Sequence, residues 1–264
     1  MDKFERKIVS GYLKFRKRYV AKLTPKSQIE NLIHSIRPVA GNAELIRVGD
    51  KIDGGYLIPN DLKKLTACFS PGVGNETSFE QDCIRHGMDV YLSDASVDKP
   101  QYLPENCFFQ QNFIGSHSSG KFITLDSWVK STQVGPDDEL ILQMDIEGAE
   151  YEVLLSLSED LLKRFRIIVF EVHQLDQWWN APFFNLVNSA FTKLNQTHVC
   201  VHNHPNTLGG VLDFNGLILP KRIELSFHRR DRATNHTIRT NFPHPLDCDN
   251  SAGHPLSLPP HWYQ

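Results

Sequence analysis

The stretch Thr66-Ala67-Cys68-Phe69-Ser70-Pro71-Gly72-Val73-Gly74-Asn75-Glu76-Thr77-Ser78-Phe79-Glu80 narrows the folding options more than any other part of the chain. An apolar run breaks into Gly-x-Gly and then into a polar segment suited to opening a helix. Gly72 and Gly74 let the backbone turn sharply and approach a ligand with no Cβ in the way, and a helix starting near Thr77 offers unpaired NH groups. Asp94 follows Tyr91-Leu92-Ser93, 22 residues beyond Gly72. An acid about 20 residues after such a turn, at the end of the next strand, is where a ribose diol expects a carboxylate. The alternative is a tight strand-to-helix turn that binds nothing.

Thr77 stands where a dinucleotide fingerprint requires a third small residue for close helix packing around a pyrophosphate. NAD is therefore disfavoured. A loop bearing Ser70, Gly72 and Gly74 with Asp94 nearby suits S-adenosylmethionine (SAM), which has a ribose and an amino acid end but no phosphates to cradle.

Strand-like runs lie near Leu65–Ser70, Asp89–Leu92, Cys107–Gln110, Leu140–Met144, Ile167–Val172 and His198–His202, with amphipathic or polar segments between them. Near-continuous apolar runs indicate strands buried on both faces, hence an α/β fold with a mostly parallel central sheet flanked by helices. Gly216–Leu219 and Ile223–Phe227, joined through Pro220, are expected to supply a closing strand or hairpin. In such a sheet ligands sit beyond the carboxyl ends of the strands. Those ends carry Asp145 and Glu147, then Glu171 and His173, then His202 and His204. Three strands thus deliver carboxylates and imidazoles to one rim. Glu150 and Glu152 read as helix surface, and Glu147 as an acid favoured in a first helical turn.

Several blocks together resemble the FkbM-type SAM-dependent methyltransferases: Asp53-Gly54-Gly55-Tyr56, the Ser70–Glu80 loop, Thr124-Leu125-Asp126-Ser127-Trp128, and Met144-Asp145-Ile146-Glu147-Gly148-Ala149-Glu150. Glu171-Val172-His173 and Val201-His202-Asn203-His204 continue the match in the same order. The resemblance spans roughly residues 30 to 230, and the block from Asp145 to Glu150 is its most specific piece. It implies a class I methyltransferase (Rossmann-like) fold and O-methylation, often of sugars or other hydroxylated metabolites. A protein that keeps the fold and binds SAM without turnover is the competing reading.

Methyl transfer to oxygen is an in-line displacement, so the acceptor must be aligned with the methyl group and lose a proton. Alignment contributes roughly 7 to 11 kcal/mol and a positioned base about 10² to 10⁴-fold. His173 is the first choice of base and His202 the second, because an unperturbed imidazole titrates near neutrality. Asp145 and Glu147 would orient the base or the acceptor. Alternatively Asp145, Glu171 and His173 would hold a divalent cation, Mg²⁺ or Mn²⁺, that acidifies the acceptor hydroxyl. The segment Arg47–Pro59 reads as a hairpin lying over the SAM site with Asp53 near the amino acid end, or as an ordinary tight hairpin. Asn112 and Phe113 are assigned to the adenine border by fold analogy alone.

The 264 residues, 40% hydrophobic and 22% charged, suffice for one α/β unit over residues 27–228. Residues 1–26 carry nine Lys or Arg against Asp2 and Glu5, a net +7 within a total of −3, so the remainder sums to −10. Apolar residues at helical spacing make this segment a basic amphipathic helix, which would pack on the body or a second subunit, or lie on an anionic membrane surface. Residues 229–264 are rich in Pro and His and read as an irregular tail anchored by Trp262 and Tyr263. The five cysteines form no C-x-x-C pair, which suits reduced thiols in the cytoplasm. The expected partner is a small hydroxylated substrate (a sugar, nucleotide sugar or glycan intermediate), with no nucleic acid.

Overall fold

The computed structural model describes residues 20–51, 54–74, 76–99, 103–250 and 255–264. Its strands are β1 (Leu45–Val48), β2 (Tyr56–Pro59), β3 (Ala67–Pro71), β4 (Asp89–Ser93), β5 (Cys107–Gln110), β6 (Phe113–Ile114), β7 (Phe122–Ile123), β8 (Leu140–Met144), β9 (Phe165–Val172), β10 (His198–Pro205), β11 (Val211–Phe214), β12 (Leu217–Pro220) and β13 (Ile223–Arg229). Its helices are α1 (Lys26–Ser35), α2 (Ser78–Arg85), α3 (Leu125–Lys130), α4 (Glu150–Ser156), α5 (Glu159–Arg164) and α6 (Ala181–Thr197).

Seven strands form one sheet in the order β10-β13-β9-β8-β3-β4-β5. All neighbours from β9 to β5 are parallel, and β13 runs antiparallel to both β9 and β10. The sheet is buried on both faces because each central strand alternates between two cores. Phe69, Leu142, Ile168 and Phe170 pack with α1, α3, α4, α5 and α6, whereas Cys68, Ile141, Ile167 and Val169 pack with α2 and the β1–β2 hairpin. Right-handed crossovers account for this division. From β3 the chain winds outward through β4 to β5, and from β8 it winds the other way to β9, so the connecting helices fall on opposite faces. A switch point therefore lies between β3 and β8, where the fold leaves a crevice beyond the strand ends.

Two sequence expectations change. Leu217–Pro220 does not pair with Ile223–Arg229: it forms a separate hairpin with Val211–Phe214, while β13 inserts between β9 and β10. The expected helix over residues 1–26 falls mostly on residues outside those described, and residues 20–25 lie outside any helix, with Leu23 bridged to Asn180. Helix α1 begins only at Lys26, immediately after Pro25. In the described part of the tail Trp262 is fully buried, 6.0 Å from Trp178 between ring centres. Among the described residues no helix is long and apolar enough to cross a membrane.

Candidate active site

At the switch point lies a cavity of about 470 Å³, lined by the loop after β3, the end of β4, the β6–β7 pair and the segment after β8. That size falls within the range of roughly 300–1,000 Å³ typical of small-molecule sites. Gly72 is held at φ +81°, and a Cβ there would lie 1.6 Å from the Asp145 carbonyl oxygen. The β3 and β8 ends can meet only because this residue has no side chain. Gly74, at φ +54°, has open space where its Cβ would be and lines the cavity. Its N–H donates to Asp94 Oδ2 at 3.1 Å, while Asp94 Oδ1 accepts from the Ser96 N–H at 2.7 Å and its hydroxyl at 2.6 Å. Asp94 therefore ties the glycine loop to β4 and lines the cavity with acceptor capacity left on Oδ2.

The cavity wall joins this carboxylate to an apolar slot. Phe113 and Phe122 lie 5.4 Å apart between ring centres, with Val73 and Ile146 also in the lining. A carboxylate for a diol beside aromatic faces for a flat base is the donor set a nucleoside needs. Below the slot, Ser70 stands within 2.5 Å of Glu80 Oε1 and 2.6 Å of Gln143 Oε1. One hydroxyl has one proton, so it cannot donate to both. Burial pushes Glu80 up to about 7, against the pull of its Ser70 contact. Below that pH a protonated Glu80 donates to Ser70, which donates to Gln143, and Gln143 Nε2 donates to the Tyr56 hydroxyl at 3.3 Å.

The acidic end of the cavity is built around His173. Glu150, fully buried at the start of α4, accepts from the Ile146 N–H at 3.2 Å, the Gly148 N–H at 3.1 Å and His173 Nδ1 at 3.1 Å. Because that carboxylate already accepts backbone donors, Nδ1 carries the imidazole proton and Nε2 carries a lone pair. Tyr151 holds the His173 carbonyl through its hydroxyl at 2.7 Å and is held in turn by Trp178. Nε2 lies 3.4 Å from Glu147 Oε2, 3.4 Å from Glu171 Oε1 and 3.7 Å from Asp145 Oδ1. Burial raises Asp145 to about 8, reinforced by the Glu171 charge and opposed by His173. Glu171 rises to about 7, again chiefly through burial. For His173, burial works downward, but the Glu150 hydrogen bond and the surrounding carboxylates outweigh it and leave the imidazole more basic than usual.

The methyltransferase FkbM domain matches residues 20–198, more than half of the chain. The chain belongs to the FkbM methyltransferase family. A methyltransferase of this family uses SAM, and the cavity residues fit such a cofactor. Comparison with curated proteins gives no match. Among solved structures, the fibrillarin/Nop5p complex aligns with a TM-score of 0.37 at 10% identity, covering 63% of this chain and 74% of that one. The N-methyltransferase NodS from Bradyrhizobium japonicum WM9 aligns at 0.32 and 8%, covering 62% and 85%. The 23S rRNA methyltransferase ErmE aligns at 0.33 and 7%, covering 80% and 71%. The assignment rests on the family match and not on these weak likenesses.

In this FkbM-family protein, Gly72, Gly74, Asp94, Phe113, Asp145 and Glu147 all line the cavity, and His173 stands directly behind the two acids. Gly54 and Tyr56 bring the β1–β2 hairpin to the cavity wall, while Asp53 lies outside the described residues. Four expectations are corrected. Ser70 does not reach the cavity: it is fully buried, and the residues it holds, Glu80 and Gln143, form the wall. Asn112 turns its amide to the Lys121 carbonyl, leaving the border to Phe113, Ile114 and Phe122. His202 lies on β10, beyond β13, where its Nε2 bonds Asp247 of the tail at 2.8 Å, and it is not among the residues lining the cavity. Of the three residues expected to hold a cation, Asp145 and His173 group with Glu147, their ligand atoms within 4.8 Å of one another, and Glu171 is not in that group. Glu171 sits behind them, hydrogen-bonded to Asn206 at 2.9 Å and paired with Arg222 at 3.6 Å.

Sequence reasoning missed Glu150 altogether and placed it on the helix surface. Its signal was its position two residues after Gly148, from which a helix-start carboxylate reaches back to the NH groups of its own loop, as in a capping box. Arg222 was missed because it precedes β13, and only the insertion of that strand beside β9 brings it to Glu147 and Glu171. Phe122, Glu80 and Gln143 carried no local signal.

Proposed function

We propose that this protein transfers a methyl group from SAM to a hydroxyl oxygen of a small polyhydroxylated acceptor, a sugar or glycan precursor. The observation that carries the reading is that one cavity runs from Gly74 and Asp94 to Asp145 and Glu147. Cofactor half and acid half thus share a wall. SAM bound there supplies a methyl group on a positively charged sulfur, ready for in-line displacement. Asp94 accepts from the ribose hydroxyls, and Phe113 and Phe122 flank the base. Asp145 and Glu147 present acceptor oxygens, which suits a ligand rich in O–H donors. The acceptor's proton leaves toward the same cluster, where Glu150 and Tyr151 fix His173 with its Nε2 lone pair facing the two acids. Orientation by these fixed groups is the larger contribution, about 7–11 kcal/mol against roughly 3–5 kcal/mol for proton removal.

The test is calorimetric titration of the full chain with SAM and S-adenosylhomocysteine, followed by a methyl-release assay over pooled sugar nucleotides and free sugars. Cofactor binding with methyl release to at least one hydroxylated acceptor is expected. Binding of NADH in place of SAM, or methyl release only to nitrogen acceptors, would overturn the proposal.

A further inference from the structure

We propose that Asp145, Glu147 and His173 bind a divalent cation of the Mg²⁺ and Mn²⁺ class, whose open coordination positions face the cavity and take two adjacent oxygens of a vicinal diol. The acceptor part of this inference rests on the methyl-transfer reading, with Nε2 then holding the cation and the acceptor's proton leaving to a carboxylate oxygen of the cluster; the cation part stands without it.

The first ground is a convergence of lone pairs. His173 has a side chain only 4% exposed, its proton is committed to Glu150 through Nδ1, and Nε2 has no hydrogen-bond partner. What faces Nε2 is Asp145 Oδ1 at 3.7 Å and Glu147 Oε2 at 3.4 Å, with Glu171 Oε1 at 3.4 Å behind them. Asp145 Oδ1 and Glu171 Oε1 are likewise buried and without a hydrogen-bond partner. Burying these atoms unpaired costs several kcal/mol in total, and once the carboxyls are ionised the contacts set acceptor against acceptor and are repulsive. Arg222 reaches only the outer members, 3.7 Å from Glu147 and 3.6 Å from Glu171. A cation among the three ligand atoms reverses the sign of every one of these contacts.

The donor set and spacing fit. Hard dications take carboxylate oxygens, and an added imidazole shifts the preference toward first-row transition metals, so within this class the set favours Mn²⁺ over Mg²⁺. Octahedral ligands at about 2.1 Å from the metal stand roughly 3.0 Å apart when adjacent, so the separations of 3.4 and 3.7 Å from Nε2 close by about 0.4 and 0.7 Å on binding, a movement within reach of the exposed Glu147 side chain. His173 also carries the support expected of a ligating histidine, a carboxylate on the opposite ring nitrogen that fixes tautomer and orientation.

The backbone accounts for where Glu147 points. Glu147 adopts φ +56°, a left-handed conformation unfavourable for a side chain of its kind. It is followed by Gly148 at φ +108°, where a Cβ would stand 2.5 Å from Gln174 Nε2. This strained pair turns the Glu147 carboxylate back over the strand ends toward His173. Strain of this kind persists where surrounding structure enforces it and concentrates at ligand clamps. Asp145 and Glu147 line the cavity while His173 stands behind them, so the protein occupies one side of the cation and leaves the cavity side open. Two cis positions there match the bite of adjacent hydroxyls, which selects vicinal diols over isolated alcohols.

Electron paramagnetic resonance of EDTA-stripped full-length protein titrated with MnCl₂ tests this directly. One Mn²⁺ is expected to bind, with enhanced water-proton relaxation showing open coordination positions, and Asp145→Asn or Glu147→Gln should each weaken binding at least about tenfold. A cooperative thermal transition in both variants reports whether the chain is still folded. A free-Mn²⁺ signal undiminished at 1 mM MnCl₂, or binding unchanged in both variants, would overturn the cation site. Bound Mn²⁺ without relaxation enhancement would overturn the diol part alone. Absence of methyl transfer leaves these readouts unmoved, so failure of the enzymatic reading is distinguishable.

Discussion

Asp145→Asn is expected to make the ligand-free protein more stable while impairing its chemistry. Asp145 is raised from the ordinary 3.8 to about 8, by burial first and by the Glu171 charge second. A carboxylate raised in the fold takes up a proton on folding, so its ionisation opposes folding from near the unfolded pKa upward until the folded pKa is reached. Each pH unit in that window costs about 1.4 kcal/mol. Between pH 5 and pH 8 the full penalty would grow by about 4 kcal/mol; sharing of the proton with Glu171 and compensation by His173 reduce this to about 2 kcal/mol. Asparagine has the same shape and no charge, and Asp145 Oδ1 has no hydrogen-bond partner to lose. The variant should therefore melt roughly 4 to 8 °C higher than the wild type at pH 8, with a much smaller gain at pH 5. Thermal and urea unfolding in EDTA at both pH values measure the difference. No gain at pH 8, or an equal gain at both, would refute the electrostatic origin.

Asp94→Ala should weaken S-adenosylhomocysteine at least tenfold, since charge-assisted hydrogen bonds contribute about 1.5–3 kcal/mol each; unchanged calorimetric affinity in a folded variant would remove Asp94 from the site. Glu80→Gln should match the wild type in stability near pH 5 and exceed it at pH 8, because burial raises Glu80 to about 7 and its charged form opposes folding above the unfolded pKa; a urea midpoint independent of pH would contradict the protonated arrangement around Ser70. Trp262→Ala should cost about 3–5 kcal/mol in the urea midpoint, as expected for a large, fully buried aromatic ring, and a cost under 1 kcal/mol would show that the tail is not part of the core.

The central sheet was legible in the sequence because its strands are buried on both faces and read as unbroken apolar runs, as Leu140–Met144 does. Gly72 and Gly74 were legible for a related reason, since glycine pairs at strand ends answer to local backbone geometry. The place of β13 was not, because strand order depends on contacts between residues far apart in the chain, such as Leu225 with Phe170. Glu150 was misplaced because a helix-start acid usually faces water, and only the return of β9 puts His173 beside it. His202 misled because its strand end looks like its neighbours', while its partner, Asp247, comes from a tail with no periodic signal at all.

The contact between Gly72 and the Asp145 carbonyl has a thermodynamic consequence. With a hypothetical Cβ only 1.6 Å from that oxygen, the two loops have no clearance between them. The Asp145 N–H also donates to the Pro71 carbonyl at 3.2 Å, so the two loops are tied as well as in contact. A ligand that shifts the Asp145 backbone would therefore press on the glycine turn, and one that shifts the glycine turn would press on the Asp145 backbone. By linkage such coupling is reciprocal: the factor by which one occupant sharpens or weakens the affinity of the other is the same in both directions. Order of arrival would then be a matter of concentrations and rates, with the balance of affinities written into a glycine that touches neither ligand's reacting atoms.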